Sequence, residues 1–191
     1  DEVYGSIQNI SSVETDKYAP NSPYSASKAS ADHLIRSFNK TYGLNTSISI
    51  CSNNYGKNQH LEKFIPTIIR SIFKNMPIPV YGDGLNIRDW IHVKDHCSAI
   101  DIIFNNSKEG ETYNVGACNE INNLLLIEII KNKFKSNKKI KIKFLDDRFG
   151  HDRKYSLNTD KIRNEFNWKP VKDFNKSIDE LIIEYKKINK L

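Results

Sequence analysis

The chain has 191 residues, 38% of them hydrophobic, and a formal net charge of +6, enough for one substantial domain or the remainder of a larger one. Its most apolar stretch, Leu124 to Ile130, is broken by Glu128 and is far too short to span a bilayer, so no membrane role is expected. The lysines are dispersed and no recognition motif accompanies them, which argues against nucleic acid as a partner and suits a small anionic ligand.

In chain order, Asp1 to Gly5 reads as a strand-to-loop exit. Ser22 caps a helix with Pro23 at its first position, and the pattern runs through Ala26, Ala29, Leu34 and Phe38 to Tyr42, closed by Gly43. Thr46 to Cys51 reads as a strand, followed by a polar loop from Ser52 to Gly56. Phe64, Ile65, Ile68, Ile69, Ile72 and Phe73 form a helical stripe of core residues. A short strand follows from Pro77 to Tyr81, then a turn at Gly82-Asp83-Gly84. Ile87 to Val93 is extended, and Lys94 to Phe104 is helical with Ala99, Ile100 and Ile103 inward. Thr112 to Val115 is a strand, Asn123 to Phe134 a helix, and Lys139 to Phe144 an alternating strand with one wet face. After a charged loop from Asp146 to Tyr155, two helices follow, capped by Thr159 and Asp173. Alternating strands and helices predict an α/β fold with a parallel sheet and a smaller carboxyl-terminal lobe.

Three scattered cysteines, Cys51, Cys97 and Cys118, form neither a disulfide framework nor a metal spacing, so a reducing, cytosolic setting is expected. His92 and His96 are four apart, but a strand-to-helix break falls between them and no third ligand accompanies them; no metal is expected. Cys51 reads as a small apolar residue, and Trp90 and Trp168 as core anchors. No charged-then-apolar leader follows Asp1, so no signal peptide is expected.

Tyr24 and Lys28 carry the first chemical pattern. Residues four apart share a helix face, and a neighbouring cation favours phenolate, which makes a tyrosine usable as a base. A bare Tyr-x-x-x-Lys also describes an ordinary exposed helix pair, so its context decides. Asp1-Glu2-Val3-Tyr4-Gly5 and Ala19-Pro20-Asn21-Ser22-Pro23 precede it. Cys51-Ser52-Asn53-Asn54-Tyr55-Gly56, Glu62-Lys63-Phe64-Ile65-Pro66 and Val80-Tyr81-Gly82-Asp83-Gly84 follow. Arg88-Asp89-Trp90-Ile91-His92-Val93 and Tyr113-Asn114-Val115-Gly116 complete the series.

In this order the motifs resemble the extended short-chain dehydrogenase/reductase family, and within it the dTDP-glucose 4,6-dehydratases, over nearly the whole chain. The resemblance implies a Rossmann-type sheet with bound NAD, here lacking its amino-terminal half. Residues 1–60 would belong to the cofactor domain and 61–191 mainly to a nucleotide-sugar lobe. It implies that Tyr24 takes the proton from the C4 hydroxyl of dTDP-glucose while hydride passes to NAD, with Lys28 holding the nicotinamide ribose. Glu2 would remove the C5 proton and Asp1 would protonate the departing C6 hydroxyl. Return of the hydride to C6 then gives a 4-keto-6-deoxy sugar. Adjacent carboxylates suit this division, because close carboxyls push their pKa values apart. Related 4-epimerases usually carry a small polar residue instead of the acid pair.

By the same resemblance, Asn53 meets the substrate and Asn54 lies near the cofactor. Lys63, Phe64, Pro79, Tyr81, Arg88 and Asn123 contact the nucleotide and its phosphates, Arg88 with the bidentate geometry that suits phosphate. Asp147-Arg148-Phe149-Gly150-His151-Asp152 resembles a late nucleotide-contacting loop in which proline usually stands at the position of Phe149. Asp147, Arg148 and His151 carry over as substrate residues. The full-length enzyme is expected to be a homodimer. The sequence has no Gly-x-x-Gly-x-x-Gly or Gly-x-Gly-x-x-Gly loop after a strand, so the isolated chain is expected to bind NAD poorly and to be inactive alone. The alternatives are a UDP- or GDP-sugar dehydratase or epimerase, or a non-catalytic nucleotide-sugar-binding fragment.

Overall fold

The computed structural model describes residues 1–7, 10–134 and 140–188. A 3-10 turn, Glu2–Tyr4, leads through an irregular segment to α1 (Pro23–Tyr42). There follow β1 (Ile48–Cys51), β2 (Asn53–Tyr55), α2 (Phe64–Phe73), β3 (Ile78–Tyr81), β4 (Ile87–His92) and α3 (Val93–Asn106). The chain continues with β5 (Thr112–Val115), β6 (Glu120–Asn122), α4 (Asn123–Asn132), β7 (Ile142–Leu145), α5 (Asp160–Phe166) and α6 (Phe174–Ile188).

The strand pairs β1–β5, β2–β4 and β3–β7 are parallel, and β6 alone lies antiparallel, against β4. This is the α/β architecture that the alternation of elements predicts. The α1 boundaries follow from local chemistry. Ser22 Oγ accepts from the Ser25 amide, the Ser25 hydroxyl answers to the Ser22 backbone, Pro23 fills the first position, and Gly43 ends the helix at φ 63°. On α2, Ile65, Ile68, Ile69 and Ile72 are buried, and they join β3, α4 and α6 in the largest apolar cluster. A second cluster joins β5, α3 and α5, with Trp168 in it, and a third joins the Glu2–Tyr4 turn to Ala29 of α1 and to Ile48 and Ile50 of β1.

Several expectations are corrected. The polar segment Asn53–Tyr55 is a strand, because its backbone pairs with Trp90 to His92, and Glu120–Asn122 is another, held by β4. Asp1 to Gly5 contains a 3-10 turn. Leu34, Phe38 and Ile100 are exposed, since the stripes they continue outrun the surfaces beneath them. Thr159 is buried and its side chain accepts no capping bond; the first amide of α5 donates to Asn158 Oδ1 at 2.8 Å instead. Asp173 does cap α6, accepting from the Lys176 amide at 2.7 Å. Part of the expected Lys139–Phe144 strand lies outside the described residues; the strand described there is Ile142–Leu145. Among the described residues, no helix is long and apolar enough to cross a membrane.

Two carboxylates on and just after β4 hold distant backbone. Asp89 accepts from the amides of Ala117 at 2.9 Å and Asn119 at 2.6 Å, and Asp95 from those of Val171 at 3.2 Å and Lys172 at 3.0 Å. A Cβ at Gly116 would lie 2.5 Å from Asp89 Oδ2, which is why the loop needs glycine there. Replacing Asp89 with Ala leaves two amides without acceptors. Urea unfolding of Asp89→Ala is expected to show a loss of about 3 kcal/mol, and a smaller loss for Asp89→Asn, which keeps one acceptor.

Candidate active site

The first part of the site lies where the Glu2–Tyr4 turn meets β1 and the approach to α1. The Asp1 nitrogen donates to the Cys51 carbonyl at 3.0 Å, and the Ala19 amide donates to the Val3 carbonyl at 3.0 Å. The buried Tyr4 hydroxyl donates to Asn114 Oδ1 at 3.0 Å. The acid pair is therefore fastened to the carboxyl end of β1 and to the segment that feeds the Tyr24 helix. Asp1 Oδ2 and Asn53 Oδ1 are buried without a hydrogen-bond partner, which leaves acceptors open at this strand end.

Tyr24 and Lys28 stand on one exposed face of α1, as their spacing predicts. The Lys28 ammonium lies 5.5 Å from the centre of the Tyr24 ring. Asn54, one residue into β2, is held from within. Its Oδ1 meets His96 Nδ1 at 2.9 Å, and its Nδ2 donates to the Ser52 carbonyl at 3.2 Å and to Cys51 Sγ at 3.3 Å. Burial holds His96 below its ordinary value.

The second part centres on Arg88 of β4. Its guanidinium is buried and lies 4.1 Å over the Tyr155 ring. It donates to the carbonyls of Ile87 at 2.8 Å and Asp152 at 2.8 Å, and more loosely to that of Arg153 at 3.5 Å. It forms no ion pair among the described residues, and burial is the main cause that depresses its pKa. Glu2 and Arg148 are both close enough to act on it electrostatically, the first favourably and the second unfavourably.

Around that arginine the structure gathers Tyr81, Asp147, Arg148 and His151. His151 Nδ1 meets Asp147 Oδ1 at 2.6 Å, Arg148 Nη2 meets His151 Nε2 at 3.0 Å, and the Arg148 guanidinium lies 5.2 Å from the Tyr81 ring centre. The His151 contact is the main reason that the Asp147 carboxyl sits below the usual carboxylate range. Lys63 and Phe64 stand apart at the opening of α2, Pro79 lies on β3 opposite Lys143, and Asn123 begins α4 with its amide on the Asn86 carbonyl at 3.2 Å.

Sequence reasoning passed over Asn21, Asn86, Asp152 and Tyr155, and weighed His96 only as a metal ligand and not as the support of Asn54. Asn21 and Asp152 both lie inside motifs quoted for other residues. The one local signal was an aromatic residue, Tyr155, closing a charged loop. Among the described residues no group of three or more His, Cys, Asp or Glu side chains could hold a metal ion.

A family model described as GDP-mannose 4,6 dehydratase matches residues 1–181. The dTDP-glucose 4,6-dehydratase of Salmonella typhimurium is 42% identical over 203 aligned residues, which cover 97% of this chain and 56% of that protein. The crystal structure of the dTDP-glucose 4,6-dehydratase of Bacillus anthracis in complex with NAD superposes with a TM-score of 0.93 at 43% identity, covering 99% of this chain and 60% of that one. That of Streptomyces venezuelae, with NAD and TYD bound, gives 0.95 at 37% identity, covering 99% of this chain and 58% of that one. The chain thus spans a little over half the length of the curated relative, and the fold it shares is the corresponding part of a Rossmann-type dehydratase.

Two imidazoles, that of buried His92 and that of half-buried His96, set a pH dependence. Burial is the main cause holding His92 and His96 below the ordinary histidine value of 6.5, so the unfolded chain takes up protons at a pH where the folded chain does not. Their contribution to stability is present above pH 6.5 and is lost as pH falls toward their folded values. Urea midpoints measured at neutral and mildly acidic pH are expected to fall with acidification. His96→Gln, which keeps a donor for Asn54, is expected to flatten that slope; an unchanged slope counts against the assignment.

Proposed function

The chain belongs to the GDP-mannose 4,6 dehydratase family, whose model it matches over residues 1–181, and we propose that it is the catalytic and nucleotide-sugar-binding part of an NAD-dependent dTDP-glucose 4,6-dehydratase. What supports the reading is a convergence. The acid pair and the approach to the Tyr24 helix meet at the carboxyl end of β1, where ligands bind in such sheets, and Glu2 is also close enough to act electrostatically on Arg88, a buried arginine without an ion-pair partner among the described residues.

In this reading Arg88 binds the diphosphate. A buried guanidinium bonded only to neutral carbonyls and repelled by Arg148 gains most from an anion that accepts from both. Arg148, His151, Lys63, Phe64, Pro79, Tyr81, Asn123 and Asp147 complete the nucleotide contacts, and residues 61–191 form the corresponding lobe. Tyr24 receives the C4 hydroxyl proton with Lys28 beside it, and Asn53 holds the sugar with its free Oδ1. Glu2 takes the C5 proton and Asp1 delivers a proton to the C6 oxygen, so water leaves and a C5–C6 double bond forms; return to C6 of the hydride taken from C4, with a proton returned to C5, would give the 4-keto-6-deoxy sugar.

Tyr24, Lys28 and Asn54 would hold the nicotinamide end of NAD, which when bound would supply the reversible oxidation at C4 that makes the C5 proton acidic. The exposed Tyr24–Lys28 face fits that end. Asn54 fits it as a fixed support, since its amide is already bonded within the chain. No glycine-rich pyrophosphate loop stands in these 191 residues. The full-length enzyme is proposed to be a homodimer through α1, on which Leu34, Phe38 and Tyr42 lie exposed at four-residue spacing. A cytoplasmic setting accords with three free cysteines.

Calorimetry with dTDP tests the nucleotide site: the 191-residue chain is expected to bind it, and Arg88→Lys to weaken binding about tenfold by losing the planar fork. In a polypeptide that joins this chain to a glycine-rich cofactor half, dTDP-glucose is expected to become lighter by one water. Glu2→Gln is expected to lower that turnover by about a hundredfold or more. Intact dTDP-glucose recovered from the unaltered enzyme would refute the assignment.

A further inference from the structure

Asp152 is 4% exposed and joins its own loop to two other stretches of chain, at Asn21 and at Asn86 to Arg88. Its Oδ1 accepts from Asn21 Nδ2 at 2.6 Å and its Oδ2 from the Tyr155 hydroxyl at 2.7 Å. Its carbonyl accepts from Arg88 Nη2 at 2.8 Å and from Asn86 Nδ2 at 3.2 Å. A buried carboxylate with two side-chain donors is held by short, charge-assisted bonds that a neutral group cannot match. Gly150, at φ 67°, lets the same loop pass close over Asn21, since a Cβ there would run into the Asn21 carbonyl.

Asn21 is followed directly by Ser22, whose hydroxyl caps the first turn of α1 by accepting from the Ser25 amide at 3.1 Å. Tyr24 lies in that turn. The other acid of the loop, Asp147, is taken up by His151 and by the Arg148 amide at 2.9 Å. Among the described residues of this loop, the Asp152 carboxylate is the side chain that hydrogen-bonds to the approach to α1.

We infer that Asp152 is a positioning residue that transmits occupancy of the anion site at Arg88 to the capped turn carrying Tyr24. The inference rests on the nucleotide-binding reading above. An anion on the Arg88 guanidinium competes with the Asp152 carbonyl for its N–H groups. The backbone of Asp152 then adjusts, and its carboxylate carries the adjustment to Asn21 and the Ser22 cap. Seating the nucleotide would thus order the base that the sugar must meet.

Hydrogen exchange at Ser25 to Lys28, with and without saturating dTDP, tests this. In the wild-type chain dTDP is expected to slow exchange there by about fivefold or more. Asp152→Asn is expected to bind dTDP within about threefold of wild type, a difference of under 1 kcal/mol, yet to lose the slowing. The swap Asn21→Asp with Asp152→Asn rebuilds the amide-to-carboxylate bond and is expected to restore it. Tyr155→Phe removes one Asp152 bond but leaves the Asn21 link, so it is expected to lower thermal stability and keep the slowing. Three results overturn the inference while sparing the nucleotide site: slowing that persists in Asp152→Asn, slowing lost equally in Tyr155→Phe, or no rescue by the swap. Loss of dTDP binding in Asp152→Asn also overturns it, by making Asp152 a part of the pocket. A wild-type chain that binds no dTDP refutes the nucleotide reading itself, and the inference with it.

Discussion

Strand β4 buries a cation and an anion side by side, Arg88 and Asp89, and the rest of the molecule is arranged to hold them. Alternation along a strand sends the two side chains to opposite faces. Each is therefore matched separately, by backbone dipoles rather than by its neighbour. Arg88 takes carbonyls from the segment Asp152 to Arg153, and Asp89 takes amides from Ala117 and Asn119. Burying either charge without these partners would cost several kcal/mol. The late loop and the β5–β6 connection are thus fixed on one strand, one on each face.

The two charges then serve different ends. The acceptors of Asp89 are satisfied by the fold, and it acts as a staple. Arg88 has its hydrogen bonds partly met but its charge unmatched by any ion pair among the described residues. A buried guanidinium in that state gains from any anion that reaches it. Its neighbours suit the same end: Arg148 and His151 add positive character, while the aromatic rings of Tyr81 and Tyr155 supply flat faces for the guanidinium groups.

The region of Tyr24 and the acid pair is built with less burial and more local order. Tyr24 and Lys28 are exposed, and the turn that carries them is shaped locally by a capping box and Pro23, while the Asn21–Asp152 bond ties its approach to the late loop. The acid pair depends on tertiary contacts: Asp1 on the end of β1, and Val3 on both the Ala19 amide and the cluster with Ala29. A locally capped helix start and a separately anchored acid turn are thus tied to one another through the Val3–Ala19 bond and the cluster with Ala29.

The sequence by itself determined the elements whose reasons are local. Ser22, Pro23 and Gly43 bound α1, the isoleucine stripe makes α2, and Tyr24 and Lys28 share a helix face whatever surrounds them. The order of the motifs also determined the family, because side-chain chemistry at fixed spacing is written in the chain. Only the tertiary structure decided what depends on a partner far along the chain. Asn53–Tyr55 and Glu120–Asn122 are strands because β4 lies beside them, not because their residues favour extension. Leu34 and Phe38 fit the helical pattern yet stay exposed, since periodicity gives a face and not what covers it. Arg88 reads in sequence as a phosphate ligand or a surface partner of Asp89; its burial under Tyr155 and its bond to the Asp152 carbonyl arise from chain 64 residues away. Asn21 and Asp152, 131 residues apart, meet through one hydrogen bond that no local pattern records. Hydrogen bonds and charge are satisfied in space, and the sequence lists the groups without saying which will meet.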